Sequence, residues 1–447
     1  MDILHYSLGL PPYARGGLTK YVVDLMYEQK RQGHDTYMLW PGKIGEEGFP
    51  VIRRKKIREG IDNFEIVNPE YLPQIYGIKE MDKFQVDAFS ETYREFLTKY
   101  KPDVIHVHTL MGLHKCFLEV AKELGIKTVY TTHDCFGICP KTTLFFNGKT
   151  CIDNVECVGC KECCENALSI RTMKLAQSST YRLIKNSSLM KVIRKRKKNN
   201  AFELDNKTKK VNENDTRSQR KYQKLREGYL EYFKLFDIIH FNSSYMKDIF
   251  EKYMDVENGK VINITHADIS DNKDNYHKKT EDIISFSFLG ALVDYKGFFV
   301  MCEALDRLYS EGITNFELNL YDDNANMTYL KDYMNVHYTY DYSELKNVMN
   351  KMDVLIHPHD GSFGFTVQEA LSFGIPVIAS KQMGAKDLIK DGVTGYIVNY
   401  DCDSFYNVLK ELLLNPKHID LLKKNVKEQF KVITIKEHAK DVEKELY

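Results

Sequence analysis

The sequence has no net charge, no long apolar run and no recognisable leader. Its 63 basic and 63 acidic side chains balance among 447 residues, and the 43% apolar fraction is ordinary for a globular protein. No run of 18 apolar residues occurs, which excludes a membrane-spanning helix. The opening MDILHYSLGL lacks a basic start, a long apolar core and a small-residue cleavage site. We therefore expect no secretory signal and a cytoplasmic protein.

A disulfide framework is not expected either, because a chain of this length can bury a sufficient core and no secretory signal is apparent. Eight of the ten cysteines nevertheless lie between Cys116 and Cys164. Cys157 and Cys160 form a Cys-x2-Cys chelating pair, and Cys139 and Cys151 precede it. Four thiolates suit a closed, structural zinc site. We predict that Cys139, Cys151, Cys157 and Cys160 bind zinc.

Three alternatives to this ligand set remain open. In the first alternative, Cys163 or Cys135 replaces one of the four ligands. An iron–sulfur cluster is the second, because such clusters are also held by cysteine thiolates. Free, unliganded cysteines are the third.

Positive charge is concentrated in one part of the chain. Residues 171–226 contain 18 Lys or Arg, and only five acidic residues occur up to Glu227. The region 166–228 is polar and rich in helix formers, and we predict a helical insertion there. A solvated helical hairpin is the first interpretation of this region, and a surface that contacts an anionic membrane is the second. Nucleic acid is not expected, because no recognition motif accompanies the charge.

The order of predicted elements indicates an α/β protein. Strand Asp2–Leu8, a glycine-containing turn, helix Leu18–Gln32 and strand Thr36–Trp40 begin a parallel sheet. A second series begins with strand Ile283–Leu289. We predict two Rossmann-like domains, 1–269 and 270–447, which face each other across a ligand-binding cleft. The cysteine-rich insert (about 135–165) and the basic insert lie in the first domain, and the last helix is expected to cross back to it.

The densest motif is HPHDGSFGFTVQEALSFGIPVIAS, from His357 to Ser380. A loop carrying Gly364 leads into a helix that begins at about Thr366. The amides at a helix N-terminus favour a pyrophosphate, and Gly364 lets the backbone approach it. Glu369, one turn into the helix, can accept hydrogen bonds from ribose hydroxyls.

SFGFTVQEALSFGIPVIAS, with GAKDLI and DGVTGYIV after it, resembles the C-terminal signature of the family-4 glycosyltransferases. Gly16-Gly17, PDVIHVHT, TTHD and FLGALVDYKGF extend the resemblance over nearly the whole chain. It implies a GT-B fold and a retaining transferase of bacterial capsule or cell-envelope polysaccharide synthesis. Such an enzyme moves a sugar from a UDP or GDP donor to a lipid-linked or glycan acceptor. Catalysis needs no metal, because a lysine and helix amides can stabilise the diphosphate.

The resemblance also implies residue roles. His133, Lys296 and Glu369 are expected to be catalytic: His133 near the transferred sugar, Lys296 on the diphosphate and Glu369 on the ribose. The order of the cysteines resembles an insert seen in some of these transferases. The expected donor-binding residues are Gly16, Gly17, Gly290, Asp360, Ser362, Phe363, Gly364, Phe365 and Thr366.

Two positions depart from the family pattern. Ala291 stands where an arginine is frequent, and Gly361 stands where the first acid of the paired-glutamate motif would fall, with Asp360 beside it. A second hypothesis follows from these positions. The chain would then be a catalytically impaired GT-B accessory protein or a glycan-binding partner of an active transferase.

Overall fold

A computed structural model describes residues 1–45, 48–58, 60–184, 187, 208–278, 280–322, 330–358 and 361–447. The chain forms two compact units. Unit 1 contains Met1–His266 together with Ile435–Tyr447, and unit 2 contains Ala267–Thr434. The boundary predicted from the sequence lies at residue 269.

Unit 1 is built on one large sheet. Its strands are β1 (Asp2–Tyr6), β2 (Asp35–Pro41), β3 (Val51–Arg54), β4 (Asp62–Val67), β5 (Val104–Val107), β6 (Lys127–Thr132), β9 (Ile238–Phe241) and β10 (Gly259–Val261), and β7 (Phe145–Phe146) and β8 (Lys149–Thr150) form a separate hairpin. The eight strands lie in the order β10-β9-β6-β5-β1-β2-β4-β3. All neighbours are parallel except β3 and β4.

Several helices of unit 1 pack apolar faces against this sheet. In the first of them Tyr21, Val22, Leu25 and Met26 recur at helical spacing, and each is 0% exposed. The helices are α1 (Gly17–Arg31), α2 (Glu91–Tyr100), α3 (Lys115–Glu123), α4 (Cys160–Cys163), α5 (Ile170–Ala176), α6 (Ser179–Ile184), α7 (Thr216–Phe233), α8 (Ser244–Phe250) and, from the C-terminal segment, Ile435–Leu446.

Unit 2 contains a six-stranded, wholly parallel sheet in the order β13-β12-β11-β14-β15-β16. Its strands are β11 (Ile284–Phe288), β12 (Phe316–Tyr321), β13 (Met334–His337), β14 (Val354–His357), β15 (Val377–Ser380) and β16 (Gly395–Val398). Its helices are α9 (Phe298–Ser310), α10 (Leu345–Met349), α11 (Phe365–Ser372), α12 (Cys402–Leu414) and α13 (Pro416–Gln429), and the C-terminal helix of unit 1 is α14.

The prediction of an α/β fold with two Rossmann-like sheets is confirmed by these parallel strand orders. The basic insertion contains α5, α6 and α7, but most of its charged run, Lys191–Asn200 included, lies outside the described residues. In the described part of the chain, every helix is too short or too polar to cross a bilayer.

Each sheet has a topological switch point. In unit 1 the chain leaves β1 toward β2 on one side and later places β5 on the other side. In unit 2, β11 has β12 and β14 in the same relation. Ligands of open α/β sheets bind beyond the carboxyl ends of the strands at such points. The loops after β1, β5, β11 and β14 are therefore the places where a site is expected.

Candidate functional site

A group of buried histidines spans the switch point of unit 1. His5 lies in β1 and His106 in β5, while His108 and His133 directly follow the ends of β5 and β6. His5, His106 and His108 are 0% exposed, whereas His133 keeps 9% of its surface exposed. His133 is therefore the member of the group that reaches toward solvent.

Burial keeps these rings neutral. It lowers the pKa of His5 and of His240 to about 4 and that of His133 to about 3. It also holds the pKa values of His106 and His108 well below their usual range. The charged form of a histidine loses its hydration on burial, so the neutral ring is favoured. At pH 7 each ring thus has one N–H donor and one bare acceptor nitrogen.

One end of a hydrogen-bond chain is fixed by a carbonyl group. His240 Nε2 lies 2.8 Å from the Ile262 carbonyl oxygen, which can only accept. His240 Nδ1 must then accept from Thr131 Oγ1 at 2.8 Å. Thr131 Oγ1 accepts in turn from His106 Nε2 at 2.6 Å. His106 Nδ1 accepts from the phenol of Tyr447, also at 2.6 Å.

The chain continues from Tyr447 to His133. The Gln29 amide nitrogen donates to the Tyr447 hydroxyl at 3.0 Å, and the Gln29 carbonyl oxygen accepts from His5 Nε2 at 2.8 Å. His5 Nδ1 then accepts from His108 Nε2 at 3.0 Å, and His108 Nδ1 accepts from His133 Nε2 at 3.2 Å. These partners assign the tautomers. His133 carries its proton on Nε2, and Nδ1 is left as the acceptor.

Three of these histidines also meet a geometric criterion for metal binding. One ligand nitrogen each of His5, His106 and His108 lies within 4.8 Å of the others. In all three histidines, both ring nitrogens already take part in the hydrogen-bond chain. A metal ion would have to replace those hydrogen bonds, so we interpret the group as a hydrogen-bonded network.

In unit 2, Lys296 lies on a 3-10 turn, Asp294–Lys296, after β11. Gly297 follows with φ of 77°, and a Cβ added there would lie 2.4 Å from Cβ of Pro358. Only glycine permits this approach, which packs the lysine turn against the loop after β14. Lys296 is half-buried, and its burial lowers its pKa to about 8. The switch point thus brings the Lys296 turn beside the glycine-rich segment.

The glycine-rich segment is held by backbone hydrogen bonds. The Gly384 and Ala385 amides donate to the carbonyls of Ser362 and Phe363 at 2.6 and 2.7 Å. Gly364 has φ of 83°, and helix α11 begins at the next residue, Phe365. The Val367 amide donates to the Gly364 carbonyl at 3.1 Å. This N-terminal end of the helix is the one at which the sequence predicts anion binding.

Side chains of the same helix are fixed by neighbours in unit 2. Thr366 Oγ1 lies 3.1 Å from Nδ1 of His357. Glu369 is buried, and the hydroxyl of Tyr342 is hydrogen-bonded to it. A carboxylate held in this way can accept two further hydrogen bonds, which is what binding a ribose diol requires.

The remaining donor-binding predictions differ in how they are placed. Gly16 has φ of 114°, precedes α1 and has open space where a Cβ would point, and Gly17 is the first residue of α1. Gly290 has no such constraint, because a Cβ there would make only ordinary contacts at 3.6 Å. Gly361 has φ of 72°. Asp360 lies outside the described residues.

The four predicted zinc ligands lie in unit 1 and are largely buried. Cys157 and Cys160 are hydrogen-bonded to each other, and the Lys141 amide donates to Cys139 Sγ at 3.4 Å. Cys151 is half-buried. Within the described ranges, however, no three of the cysteine sulfurs meet the 4.8 Å criterion that the histidine group meets. The zinc site stays a prediction.

Sequence reasoning missed most of the histidine chain. His133 was singled out by its position after a strand, but Gln29, Tyr447 and Thr131 were not. The available signal was the polar residues inside apolar strands, in DILHY and VIHVH. A histidine within a buried strand needs hydrogen-bond partners, so each of these pointed to a network.

Two family models match the chain. Glycosyltransferase Family 4 matches residues 15–149, and Glycosyl transferases group 1 matches residues 268–429. Among curated relatives, the capsular polysaccharide biosynthesis glycosyltransferase CapM of Staphylococcus aureus is 28% identical over 134 residues. This match covers 28% of the present chain and 35% of CapM, so the chain spans about a third of that relative's length.

Solved structures resemble the chain over its whole length. Sucrose-phosphate synthase from Thermosynechococcus elongatus has a TM-score of 0.56 at 15% identity and covers 99% of this chain and 97% of its own. HepE from Anabaena, in complex with UDP-glucose, has a TM-score of 0.53 at 14% identity, with 100% of both chains covered. At these identities the similarity shows the fold alone.

Proposed function

We propose that the chain, whose residues 15–149 and 268–429 match two glycosyltransferase family models, transfers a sugar from a nucleotide diphosphate to a glycan or lipid-linked acceptor with retention. The observation that carries this proposal is the switch point of unit 2, where the Lys296 turn packs against the loop leading to α11 and Glu369. The similarity to CapM supports a role in capsule or cell-envelope polysaccharide synthesis. HepE, which has the same fold, binds UDP-glucose in its solved structure, and this supports a nucleotide sugar as the donor.

The proposed roles of these residues follow from the charges that develop as the bond to the diphosphate breaks. The bond between the anomeric carbon and the diphosphate breaks, and its electron pair stays on the phosphate oxygen. The Lys296 ammonium and the first amides of α11 stabilise that charge without a metal. The acceptor oxygen bonds to the anomeric carbon on the same face, and its proton passes to the departing diphosphate. Glu369 holds the ribose, and the bare Nδ1 of His133 accepts a hydrogen bond from a sugar hydroxyl.

Calorimetric titration with UDP and GDP tests the donor site. We expect one nucleotide to bind, and we expect Glu369→Gln to weaken it by about tenfold or more, because a buried charged acceptor is lost. Glu428→Gln is the matched control, since Glu428 is an exposed residue of α13 that pairs only with Lys424 at 3.9 Å among the described residues. Turnover of the matching nucleotide sugar, insensitive to EDTA, is the second readout. If neither nucleotide binds and no nucleotide sugar is turned over, the proposal fails and an accessory role replaces it.

We also propose a structural zinc ion on Cys139, Cys151, Cys157 and Cys160. Buried thiols, a Cys-x2-Cys turn and an amide that donates to Cys139 Sγ support it, although side-chain rotation would have to bring the sulfurs together. Purified protein should contain one equivalent of zinc, and Cys157→Ser should lose it. Cys302→Ser, in unit 2, should keep it. A preparation from metal-supplemented cells that contains no zinc would refute the site.

The cytoplasmic face of an anionic membrane is the proposed location. The basic side chains of Arg217, Arg220, Lys221 and Lys224 are all exposed on α7. Attraction to anionic lipid contributes about 1 kcal/mol for each basic residue near the surface. Flotation with phosphatidylglycerol vesicles should therefore carry the protein, and neutral phosphatidylcholine vesicles should not. Replacing Lys221 and Lys224 by glutamine should reduce the floated fraction. Equal recovery with both lipids would contradict this location.

A further inference from the structure

Unit 1 contains a cavity that none of the assigned residues uses. It has a volume of about 530 Å³, which is in the range of small-ligand pockets. Trp40, near the end of β2, and Tyr13, in the loop after β1, form part of its wall. The cavity therefore opens at the edge of the sheet where β1 and β2 end, on the other side of β1 from His133.

The aromatic part of the wall is ordered by its neighbours. The rings of Trp40 and Tyr13 are stacked, with centroids 6.5 Å apart and planes inclined by 14°. Trp40 Nε1 donates to Asn63 Oδ1 at 3.3 Å, and Trp40 is 8% exposed while Tyr13 is 46% exposed. A rigid aromatic surface of this kind offers an apolar face and polar tips to a ligand, as the C–H face and hydroxyls of a sugar ring require.

The rest of the wall is basic. Among the described residues that line the cavity, five are cationic and one, Glu65, is acidic; the cations are Lys43, Arg53, Lys55, Lys56 and Arg58. Glu65 is 2% exposed, accepts from the Lys43 amide at 2.9 Å and pairs with Lys55 at 3.1 Å. Its charge is thus already compensated within the wall. The remaining positive charge favours a phosphate or carboxylate.

The guanidinium of Arg58 is one of the basic groups of the wall and also contacts its aromatic part. It donates to the Pro11 carbonyl at 2.8 Å and lies 4.7 Å above the ring of Tyr13. A cation held against an aromatic face keeps donors available at its edge. An anion bound to Arg58 would therefore lie next to a sugar ring that packs on the aromatic wall.

We propose that this cavity binds the anionic part of a glycan acceptor, with a phosphate or carboxylate among the basic residues and a sugar ring against Trp40 and Tyr13. The assignment to an acceptor rests on the proposed transfer function. β2 lies three strand spacings from β6, about 14 Å. The bound anion would thus be remote from the hydroxyl that reacts near His133, and the cavity would select which acceptor is extended.

Trp40 is the only tryptophan of the chain, so its fluorescence reports on the cavity directly. Three probes are titrated into the full-length protein: trigalacturonic acid, a short-chain prenyl diphosphate carrying one sugar, and neutral maltotriose. We expect a saturable change with at least one anionic probe, weakened by added salt, and none with maltotriose at the same concentration. The anionic probe that binds identifies the source of the anion as an acidic sugar or a lipid-linked diphosphate. An equal response to maltotriose, or no response to either anionic probe, would overturn the proposal.

Two neighbouring substitutions separate the cavity from general surface charge. Lys56→Gln removes an exposed cation of the wall, and we expect it to weaken the binding of the anionic probe about fivefold. Arg54→Gln is the matched control, because Arg54 is exposed, pairs with Asp62 at 2.6 Å and is not part of the wall. We expect the control to stay within about twofold of the wild type. Equal weakening by both variants would refute the site. The titration needs no donor and no turnover, so its result is independent of whether sugar transfer is observed.

Discussion

Gln29 is predicted to determine which nitrogen of His133 carries the proton. Its amide lies between Tyr447 and His5, and its carbonyl oxygen accepts from His5 Nε2 at 2.8 Å. The chain from His5 through His108 then leaves Nδ1 of His133 bare. If Gln29 is replaced by leucine, His5 loses this acceptor. If the direction of these hydrogen bonds were reversed, with His5 and His108 protonated on Nδ1, no buried N–H of His5 would be left unpaired.

The size of the effect follows from the cost of an unpaired group. Leaving a buried donor unsatisfied costs about 1–3 kcal/mol, which corresponds to a factor of about 5 to 150 in the populations of the two directions. In the wild type this difference favours His133 with its proton on Nε2. In Gln29→Leu it is removed, so we expect a substantial population of His133 with its proton on Nδ1. Such a ring donates where the wild-type ring accepts, and transfer should slow.

The measurement is a long-range ¹H–¹⁵N correlation on histidine-labelled protein at pH 7, which distinguishes protonated from bare ring nitrogens. His133→Gln identifies the His133 signals. Tyr21→Phe is the matched control, since Tyr21 lies on the same helix and its hydroxyl bonds His438 at 2.9 Å, outside the chain. The control should keep the wild-type tautomer of His133. The reasoning is refuted if wild-type His133 is protonated on Nδ1, or if Gln29→Leu leaves its tautomer unchanged.

Three further predictions follow from buried charge. His5 contributes stability that is present above pH 6.5 and is lost as the pH falls toward its folded pKa of about 4, because the unfolded chain then binds a proton that the folded chain does not. This residue alone should make the free energy of unfolding in urea about 2 kcal/mol lower at pH 5 than at pH 7. Lys296 has its pKa lowered to about 8, so transfer should decline above that pH, and in Lys296→Arg the decline should move upward; an unmoved decline would assign it to another group. Arg226 donates to the carbonyls of Ile138 and of two further residues in the cysteine-rich insert, so Arg226→Gln should lower the free energy of unfolding by about 3 kcal/mol, whereas the exposed Arg220→Gln should not.

The sequence predicted the parallel sheets well but missed part of one edge. A strand, a glycine-containing loop and a helix recur locally, so β1, β2 and β11 could be recognised from a few residues each. Strands β3 and β4 were not predicted. β3 reads VIRR with two exposed arginines, and β4 reads DNFEIV with Asn63 and Glu65 buried. β3 shows neither the alternation nor the apolar run that marks a strand, and the alternation in β4 covers only Asn63 to Ile66. The polar side chains of β4 can be buried because Trp40 and the Lys43 amide donate hydrogen bonds to them.

The residues of the candidate site also fall into those that a local motif predicts and those that only tertiary packing brings together. Lys296, Gly364 and Glu369 lie in contiguous motifs whose spacing already implies their arrangement. The Gln29–Tyr447 hydrogen bond joins residues from opposite ends of the sequence. No local pattern contains such a pair, since it exists only because the C-terminal segment belongs to unit 1. Tertiary packing therefore had to be known before these residues could be connected with His133.

The two units offer different electrostatic environments. Unit 2 supplies a cation and helix amides, which suit the charge that develops on a diphosphate. Unit 1 does the opposite, because burial lowers the pKa of His133 to about 3 and keeps its ring neutral. A protonated ring would donate from both nitrogens and attract phosphate, whereas the neutral ring offers a lone pair to a hydroxyl. A buried polar network adds little net stability compared with apolar packing, so its main effect here is on geometry and protonation. In the proposed transfer, the hydrogen-bond chain would prevent His133 from binding a phosphate and would keep it available to a sugar hydroxyl.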